Sequence, residues 1–454
     1  MNPRQGRPDT NTNDPPAQRI AVIGSGIAGL SAAWLLARRH QVTLFEAAAR
    51  AGGHSNTVQV LLGGAGAQPV DTGFIVYNEA AYPNLSALFA HLGVPTQSTE
   101  MSFAVSLDDG ALEYSGSDLA GLFAQRGNLV NLRFWSMLRD LLRFYREAPV
   151  QAANAGMQTL DAYLDARGYG RAFRDDHLYP MAAAIWSTPA AQIGRYPLAA
   201  FVRFCENHQL LKLGRREAWR TVTGGSREYV QRMTAAIRSS LRLGQPVVGV
   251  LREAAGVKIA TAAGVVPERF DQVVIATHAD QALQMLDQPT ADEQRLLGAF
   301  GYSRNYAVLH QDATLMPQRR AVWSAWNYLA DRGRADSLCV TYWMNRLQNL
   351  QSEKPLLVTL NPMREPRAGE VLYEKHYEHP LFDAAALAAQ SQLWSLQGKR
   401  RSWFCGAYFG AGFHEDGLQA GLAVAEAIGG VRRPWSVPDE SARIRLPELR
   451  ERAS

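Results

Sequence analysis

The chain has 454 residues, a formal net charge of +5 and 47% hydrophobic residues. A chain of this length can bury a large core, and typical domain sizes predict two or three domains. The mild charge, with arginines spread among acids, argues against a nucleic-acid partner. Three cysteines without a Cys-x-x-Cys pair encode neither a disulfide framework nor a zinc site, and we expect no bound metal.

The first 17 residues are polar and rich in Pro, Asn and Asp. They lack the apolar stretch of a signal peptide, so we expect a disordered leader on a cytoplasmic protein. No run reaches the ~20 mostly apolar residues that a membrane span requires. We therefore expect no membrane-spanning segment, and we keep peripheral contact with the inner face of the membrane as an alternative.

A short apolar run at residues 20–23 leads into three glycines, Gly24, Gly26 and Gly29, and then a helical pattern. This spacing suits a dinucleotide pyrophosphate: the glycines permit the tight turn, the approach of the backbone to the phosphates and close helix packing. Ser25, Ile27 and Ala28 complete the loop, and the helix N-terminus would face the two negative charges.

The next apolar strand ends at Glu46, where a carboxylate would hold a ribose hydroxyl and disfavour a 2′-phosphate. Ala47 follows it. The segment Arg50-Ala-Gly-Gly53-His54 comes directly afterwards and is close to the Arg-x-Gly-Gly-Arg that continues the motif in FAD proteins. A hairpin over 57–62 and 69–77 then carries Thr72, Gly73 and Tyr77.

From residue 82 to 220 the pattern is mainly helical, with loops expected at 107–116 and 180–197. Nucleotide-domain signals return at 221–289, where Val248 lies on a predicted strand, and again at 400–432. Between them, residues 290–399 hold aromatic and β-branched runs at 306–310, 321–329, 337–343 and 356–360, which predict an antiparallel sheet. We therefore predict an FAD-type domain built from 18–81, 221–289 and 400–432, a substrate domain built from 82–220 and 290–399, and a charged tail at 433–454.

Residues 132–145 form an amphipathic pattern. Six apolar residues share one side (Phe134, Trp135, Leu138, Leu141, Leu142 and Tyr145), four polar residues lie opposite (Arg133, Ser136, Asp140 and Arg143), and Arg139 and Arg146 stand at the rim. Such a helix either lies on an anionic membrane or packs on its own core.

The order of these segments resembles the flavin-containing amine oxidase and phytoene desaturase superfamily over about residues 18–430. A narrower resemblance is to bacterial predicted NAD/FAD-binding flavoproteins similar to the flavin domain fused to plant cyclopropane fatty acid synthases. It rests on the strings beginning at Asp71, Pro180, Asn207, Gly224, His379 and Gly412. The fold implied is α/β: a Rossmann-like FAD domain of the glutathione-reductase type with an inserted α+β substrate domain.

The resemblance implies non-covalent FAD, with Phe413 and His414 beside the pyrimidine edge of the flavin. Departures from the family pattern are His54, where an arginine usually stands, and Ala407, where an acid is common. The residues assigned to FAD are Gly24, Ser25, Gly26, Ile27, Ala28, Gly29, Glu46, Ala47, Arg50, Gly53, His54, Thr72, Gly73, Val248, Gly406, Phe413, His414 and Glu415.

The candidate catalytic residues are His414, which either donates to the reduced flavin or shapes the pocket, and Tyr77, which either faces the flavin or packs. His54 is either an imidazolium near phosphate or a solvent-facing loop residue. Glu415 and Asp416 also suit capping of their helix. His177, Trp186 and His208 either line a pocket or belong to the core.

We expect an FAD-dependent oxidase, dehydrogenase or desaturase that takes a hydride from a substrate carbon. No second glycine motif would hold NAD(P)H. The resemblance implies an apolar substrate such as a phospholipid acyl chain, and a lipid methyltransferase or cyclopropane synthase as partner. The alternatives are amine oxidation, with Tyr408 and Phe409 as one aromatic wall, and a non-catalytic flavoprotein that serves such a methyltransferase.

Overall fold

The computed structural model describes residues 16–62, 66–156, 158–186, 193–207, 210–211, 218–332, 339–438 and 440–447. Nearly all of the predicted leader, the end of the predicted tail, Ser187 and His208 lie outside this range.

Twenty strands are found within the described ranges. In chain order they are β1 Arg19–Ile23, β2 Gln41–Phe45, β3 Thr57–Leu62, β4 Gly66–Asp71, β5 Val76–Asn78, β6 Thr96–Thr99, β7 Phe103–Leu107, β8 Leu112–Ser115, β9 Trp219–Val222, β10 Leu241–Arg242, β11 Val247–Glu253, β12 Gly256–Thr261, β13 Gly264–Phe270, β14 Gln272–Ile275, β15 Tyr302–His310, β16 Trp326–Ala330, β17 Cys339–Trp343, β18 Leu357–Leu360, β19 Val371–Pro380 and β20 Ser402–Phe404.

The α-helices of the same ranges are α1 Ile27–Leu36, α2 Pro83–Leu92, α3 Leu119–Leu122, α4 Leu132–Ala152, α5 Leu160–Ala166, α6 Arg171–Phe173, α7 Tyr179–Trp186, α8 Leu198–Asn207, α9 Arg227–Ala235, α10 Ala279–Met285, α11 Ala291–Leu297, α12 Met344–Leu347, α13 Ala384–Gln390 and α14 His414–Ile428. A π-helical turn, Arg174–Leu178, leads into α7. None of the described helices is long and apolar enough to cross a membrane.

The first sheet has five parallel strands in the order β10-β2-β1-β14-β20. It takes strands from all three segments predicted for the nucleotide domain. Its central strands are apolar and fully buried, as parallel strands covered on both faces must be. Helix α1 follows β1 and packs against α14, so the two chain ends meet beside the sheet. The predicted Rossmann-like α/β fold is confirmed.

The second large sheet has seven strands in the order β19-β15-β18-β17-β16-β7-β8. Five of its six pairings are antiparallel, and β16 pairs with β7 in parallel. The antiparallel sheet was predicted, but β19 and the hairpin β7–β8 were not. The loop expected at 107–116 is wrong, because residues 112–115 form a strand whose partner, β7, extends this sheet across the two insertions.

The core side of α4 is rotated relative to the predicted apolar face. Its buried residues are Phe134, Met137, Asp140, Phe144, Ala148 and Ala152, whereas Trp135 and Leu142 are exposed. Asp140 points inward because its carboxylate accepts hydrogen bonds from the Gly170 amide (2.9 Å) and from the guanidinium of Arg139. The prediction that Asp140 lies on the solvent-facing, polar side of α4 is therefore wrong.

The described part of the tail folds back on the nucleotide half. The buried guanidinium of Arg433 donates to Glu426 at 2.8 Å and to the Asn84 side chain at 2.9 Å. Arg443 pairs with Asp416 at 3.3 Å. These contacts join the tail to helices α2 and α14.

Candidate active site

One cavity of about 830 Å³ begins at the carboxyl edge of the five-stranded sheet and continues between the two sheets. Ile23 at the end of β1, Phe45 at the end of β2, and Ala276 directly after β14 line it. Ligands of open α/β sheets bind at this edge. A cavity of this volume falls within the range of cofactor and ligand pockets.

The glycine loop borders open cavity at the start of α1, where the sequence predicts a phosphate group. A Cβ built on Gly26 meets no atom within 4 Å, so the backbone there borders open cavity. A Cβ on Gly29 would lie 1.8 Å from the carbonyl oxygen of Gly24, because the first turn of α1 packs directly on the loop. These residues fit a pyrophosphate held by backbone amides.

Glu46 lies on the cavity wall, and its carboxylate is held by the glycine loop. One oxygen accepts hydrogen bonds from the Ser25 amide at 2.9 Å and the Ser25 hydroxyl at 2.5 Å. The other accepts from the Ala48 amide at 2.8 Å. The predicted ribose ligand is therefore fixed in position at the mouth of the predicted dinucleotide site.

The loop after β2 brings Gly53 and His54 to the cavity, but Arg50 is not among the described lining residues. Arg50 instead donates to the carbonyl oxygens of Gly53 (2.7 Å) and Ser55 (3.2 Å), so it holds the loop closed. This placement differs from direct cofactor contact, because three backbone carbonyls of the loop occupy the guanidinium.

His54 lines the cavity and does not face bulk solvent. Its Nε2 is buried without a hydrogen-bond partner among the described residues, and its ring lies 5.0 Å from Tyr377 and 5.3 Å from His379. Burial, and then the neighbouring His379, lower its pKa well below the usual value. The protein alone therefore favours a neutral imidazole, so an imidazolium at His54 stays a prediction that depends on a bound phosphate, and the orphaned Nε2 suits a ligand polar group.

The strand-to-loop segment at 71–73 joins three parts of the chain. The Asp71 carboxylate accepts from Thr57 (2.6 Å), Ser226 (2.8 Å) and Gln348 (2.9 Å). Burial raises its pKa to about 6. This clamp places Thr72 and Gly73 on the cavity wall, and their contact with the cofactor stays a prediction.

The C-terminal motif forms the other wall. Gly406, Phe413 and His414 line the cavity, and α14 begins at His414 with its amides toward it. The Nε2 of His414 lies 3.0 Å from the Ser55 hydroxyl and 2.9 Å from the Tyr229 hydroxyl, and its ring stacks on Phe74 at 3.9 Å. Burial lowers the pKa of His414 to about 3, so the ring is neutral.

Two predicted site residues are placed elsewhere. Glu415 is buried beneath the wall, where its carboxylate accepts from the amides of Asn84 (3.0 Å) and Leu85 (2.9 Å), so it caps α2 and not its own helix. The capping expected of Asp416 does occur, since it accepts from the Phe413 amide at 2.7 Å. Tyr77 packs edge-on against Phe89 at 5.4 Å and Tyr82 at 6.3 Å and is not among the described lining residues.

The remaining predicted residues divide in the same way. Ser25, Ile27, Ala28, Ala47 and Val248 line the cavity, and so does Trp186. His177 is buried against Tyr114, with its Nδ1 2.9 Å from the tyrosine hydroxyl, and belongs to the core. Cys405 is fully buried, and burial raises the pKa of its thiol.

Sequence reasoning assigned no role to two histidines that line the cavity, His278 and His379. His278 stacks on Tyr302 at 4.4 Å and approaches Glu378 at 3.4 Å. Nδ1 of His379 lies 3.0 Å from the Asn305 amide group, and burial lowers its pKa to about 4. His379 and Pro380 belong to one of the sequence strings that carry the family resemblance. No local sequence signal, however, predicts that this strand of the second insertion contacts the loop at His54.

The part of the cavity away from the glycine loop is mostly apolar and comes from both insertions. Its lining residues there include Tyr82, Met101, Ile185, Trp186, Phe204, Leu210, Trp219, Trp326, Tyr342, Leu360 and Phe382. Phe204 stacks on Phe413 at 4.7 Å, and Trp186 lies 4.5 Å from Phe204. An aromatic wall therefore continues from the predicted flavin edge into this space.

The family model for flavin containing amine oxidoreductases matches residues 27–429. The chain belongs to this family. A flavin is accordingly the cofactor, and the protein is an FAD-dependent oxidoreductase. Within the cavity, the residues that would hold the FAD are the glycine loop, Glu46, Gly53, His54 and the N-terminus of α14.

Solved structures share the fold at low identity. A CLA-producing fatty acid isomerase from P. acnes has a TM-score of 0.63 and 14% identity, covering 90% of this chain and 98% of that one. A cyclohexylamine oxidase from Brevibacterium oxydans IH-35A has a TM-score of 0.63 and 17% identity, covering 91% and 99%. Putrescine oxidase bound to putrescine has a TM-score of 0.65 and 14% identity, also covering 91% and 99%.

A curated relative matches a short segment only. The L-amino-acid oxidase of Pseudechis australis is 58% identical over 41 residues, which is 9% of this chain. The chain thus spans about 8% of the length of that relative.

Proposed function

We propose that this amine oxidoreductase family member oxidises an apolar acyl chain, such as the unsaturated, methyl-branched or cyclopropane chain of a phospholipid. The observation that carries the proposal is the apolar, aromatic part of the cavity, which is continuous with the cofactor part. An acyl chain has no polar group near the reacting carbon, so shape alone must position it.

When bound, the FAD supplies a hydride acceptor at N5, which is reoxidised by oxygen, a quinone or another carrier. The chain's own contribution is to place the substrate and exclude water. Phe204 and Phe413 stack at 4.7 Å and Trp186 stands beside them, so an alkyl chain entering here would lie between apolar surfaces. Binding geometry of this kind can provide much of the rate enhancement without an acid or base.

The histidines along the wall support an uncharged reaction space. Burial holds the pKa of His414 at about 3 and that of His379 at about 4, so both rings are neutral near pH 7. With Nε2 engaged by Ser55 and Tyr229, His414 is a positioning residue for the wall. Neutral histidines suit an apolar substrate, because a buried unpaired charge would be costly.

Fold alone does not decide the substrate, since a fatty acid isomerase and amine oxidases share it. Amine oxidation is the second candidate, and Glu378 favours it. This half-buried carboxylate lines the cavity and could pair with an ammonium group. Tyr408 also lines the cavity. Phe409 is buried and is not among the described lining residues, so only Tyr408 of these two contributes to the expected aromatic wall.

The deciding experiment is anaerobic reduction of the FAD-loaded protein. Detergent-dispersed phospholipids carrying unsaturated, branched or cyclopropane chains are compared with putrescine and cyclohexylamine, and loss of flavin absorbance is followed in time. We expect bleaching by one acyl class and none by the amines. Rapid bleaching by amines alone would reverse the assignment and make Glu378 the residue to test.

The protein could instead be a flavoprotein subunit that delivers lipid to a methyltransferase or cyclopropane synthase. That alternative predicts stable FAD binding, no bleaching by any substrate of the panel, and copurification of the partner enzyme. Lipid analysis of cells with and without the gene provides an independent readout, because an acyl oxidoreductase must leave its substrate chain to accumulate when the gene is lost.

A further inference from the structure

The solvent side of α4 is unusual for a helix that packs on a core. Its exposed positions are four large apolar residues (Leu132, Trp135, Leu142 and Val150), three arginines (Arg133, Arg139 and Arg146) and Gln151. A surface helix normally presents polar residues on this side. Phe134, Met137 and Phe144 on the opposite side of α4 pack on the core. The exposed apolar residues are therefore not part of this core packing.

The segment before α4 extends this apolar surface. Val130 is 84% exposed and Leu132 is 85% exposed, and Leu129 stands beside them. The indole N–H of Trp135 donates to the carbonyl oxygen of Leu129 at 2.9 Å, which fixes the segment against the helix. We call Leu129, Val130, Leu132, Trp135 and Leu142, together with the exposed Arg126, Arg139 and Arg146, the α4 face.

The charge of the α4 face has one sign along the helix. Every exposed charged residue of α4 is an arginine, and Arg139 is 73% exposed. The two acids of the helix are turned inward: Asp140 is buried on the Gly170 amide and pairs with Arg139 at 3.1 Å, and Glu147 pairs with Arg143 and Arg167 at 3.2 Å. The exposed acid Asp118 caps α3, and the exposed Asp175 interacts with Arg133, which is not part of the α4 face. The face therefore offers apolar side chains within a basic rim.

We propose that the α4 face docks on the anionic surface of a phospholipid bilayer. Protruding apolar side chains enter the boundary between head groups and acyl chains, and arginines at the same level bind lipid phosphates. Each arginine near an anionic leaflet adds about 1 kcal/mol of attraction. This is charge complementarity between a basic helix face and an anionic surface, and it commits the face to lipid.

Docking through α4 would bring the bilayer close to the cavity. This step of the argument rests on the proposed function. Phe144 on the inner side of α4 lies 6.3 Å from Phe201 of α8, and Phe201 lies 5.6 Å from Trp186 on the cavity wall. Helices α4 and α8 thus lie between the α4 face and the cavity wall at Trp186. A bilayer held on this side would be the nearest source of acyl chains.

The test is cosedimentation of the FAD-loaded full chain with vesicles of phosphatidylcholine alone or mixed with phosphatidylglycerol. We expect binding to the mixed vesicles and a loss of about tenfold in affinity for Val130→Glu/Leu132→Glu. Both positions are exposed, so flavin content and circular dichroism should not change. The matched control is Val265→Glu on β13, where the wild-type side chain is 55% exposed, and it should bind normally.

Arg126→Gln/Arg146→Gln should lose about tenfold or more on the anionic vesicles and nothing on neutral ones, as expected for about 1 kcal/mol per arginine. The proposal fails if the protein binds neither vesicle type, or if Val265→Glu weakens binding as much as the double variant. It also fails if light scattering shows a dimer that Val130→Glu/Leu132→Glu dissociates, because the occupant is then a second copy.

The proposed function is tested separately by flavin reduction with detergent-dispersed lipid. Reduction without vesicle binding removes only the docking proposal. Vesicle binding without reduction by any acyl lipid keeps the docking surface and removes the proposed function.

Discussion

The two ends of the cavity are built in different ways. The nucleotide end is made by backbone: glycines at the ends of buried parallel strands, a helix N-terminus and one carboxylate fixed by local amides. The substrate end is made by side chains from segments far apart in the chain, with Phe204 from the first insertion, Tyr342 from the second and Phe413 from the C-terminal motif. Backbone sites require particular residues at fixed spacing, whereas side-chain sites tolerate exchange.

This difference separates what is general to the family from what is particular to this chain. Any member that binds FAD must keep the backbone of the glycine loop, because a Cβ at Gly29 overlaps the carbonyl of Gly24. The apolar wall can change with little effect on the cofactor end. Variants on the two sides should therefore fail in different assays.

The largest effect is expected for Gly29→Ala. The added methyl group would meet the Gly24 oxygen at 1.8 Å and Ala276 at 3.1 Å, so α1 must move away from the loop. We expect a loss of about 3 kcal/mol in the free energy of unfolding and loss of bound FAD, measured by chemical denaturation and by the flavin-to-protein absorbance ratio.

Its matched control is Gly369→Ala, where a Cβ meets nothing within 4 Å. That variant should change stability by less than ~0.5 kcal/mol. If both variants keep FAD equally, close packing of the helix on the loop is not what forms the cofactor end.

The second effect is a pH dependence of the free energy of unfolding, caused by the buried histidines of the cavity wall. Burial lowers the pKa of His414 to about 3 and of His379 to about 4, whereas an unfolded histidine titrates near ~6.5. The unfolded chain binds more protons in this range, so stability is full above about pH 6.5 and decreases as the pH falls toward 4. At about 1.36 kcal/mol per pKa unit, we expect each of the two histidines to contribute a decrease of about 3 kcal/mol by pH 4 in the protein without FAD.

Denaturation curves between these pH values measure this slope. His379→Gln should flatten it, while His376→Gln, an exposed position on the same strand β19, should leave it unchanged. An equal slope in the His379 and His376 variants would show that the histidines of the cavity wall do not carry the pH dependence.

The third effect concerns the substrate end alone. Phe204→Leu shortens the side chain that stacks on Phe413 at 4.7 Å, but it does not touch the glycine loop. We expect normal FAD content, a stability loss below about 1.5 kcal/mol, and flavin reduction by the acyl substrate that is slower by about tenfold because the chain is held less firmly. Anaerobic stopped-flow reduction measures it, and loss of FAD in this variant would show that the two ends are not separable.

The nucleotide end of the cavity can be predicted from the sequence better than the substrate end, because the first is built by backbone and the second by side chains. Gly24, Gly26, Gly29 and Glu46 are recognisable because the backbone motif is local and its spacing is fixed by strand and helix geometry. The wall formed by His278 and His379 is not, since His379 on β19, a strand that pairs with β15, meets His54 from more than 300 residues away in the chain. The same limit hid the hairpin β7–β8, whose place in the sheet depends on β16.

Side-chain direction is the other part that sequence could not supply. The position of Glu415 at a helix start suggested a cofactor contact or a cap, yet its carboxylate caps the neighbouring helix α2. The amphipathic pattern of α4 indicated a helix correctly, but which side is buried depended on Asp140 finding the Gly170 amide. Both outcomes are set by tertiary partners.

The smallest effect is expected for Tyr77→Phe, which bears directly on one of the two candidate catalytic residues. Tyr77 is 2% exposed, packs against Phe89 and Tyr82, and is not among the described residues that line the cavity. Loss of its hydroxyl should change flavin reduction by less than about twofold, because a group that does not reach the substrate cannot stabilise its transition state. His414→Gln, measured beside it, removes a ring that does line the cavity and should alter the rate more. A tenfold slowing in Tyr77→Phe with normal FAD content would restore the catalytic role suggested by its sequence context, and would mean that β5 moves toward the cavity when substrate binds.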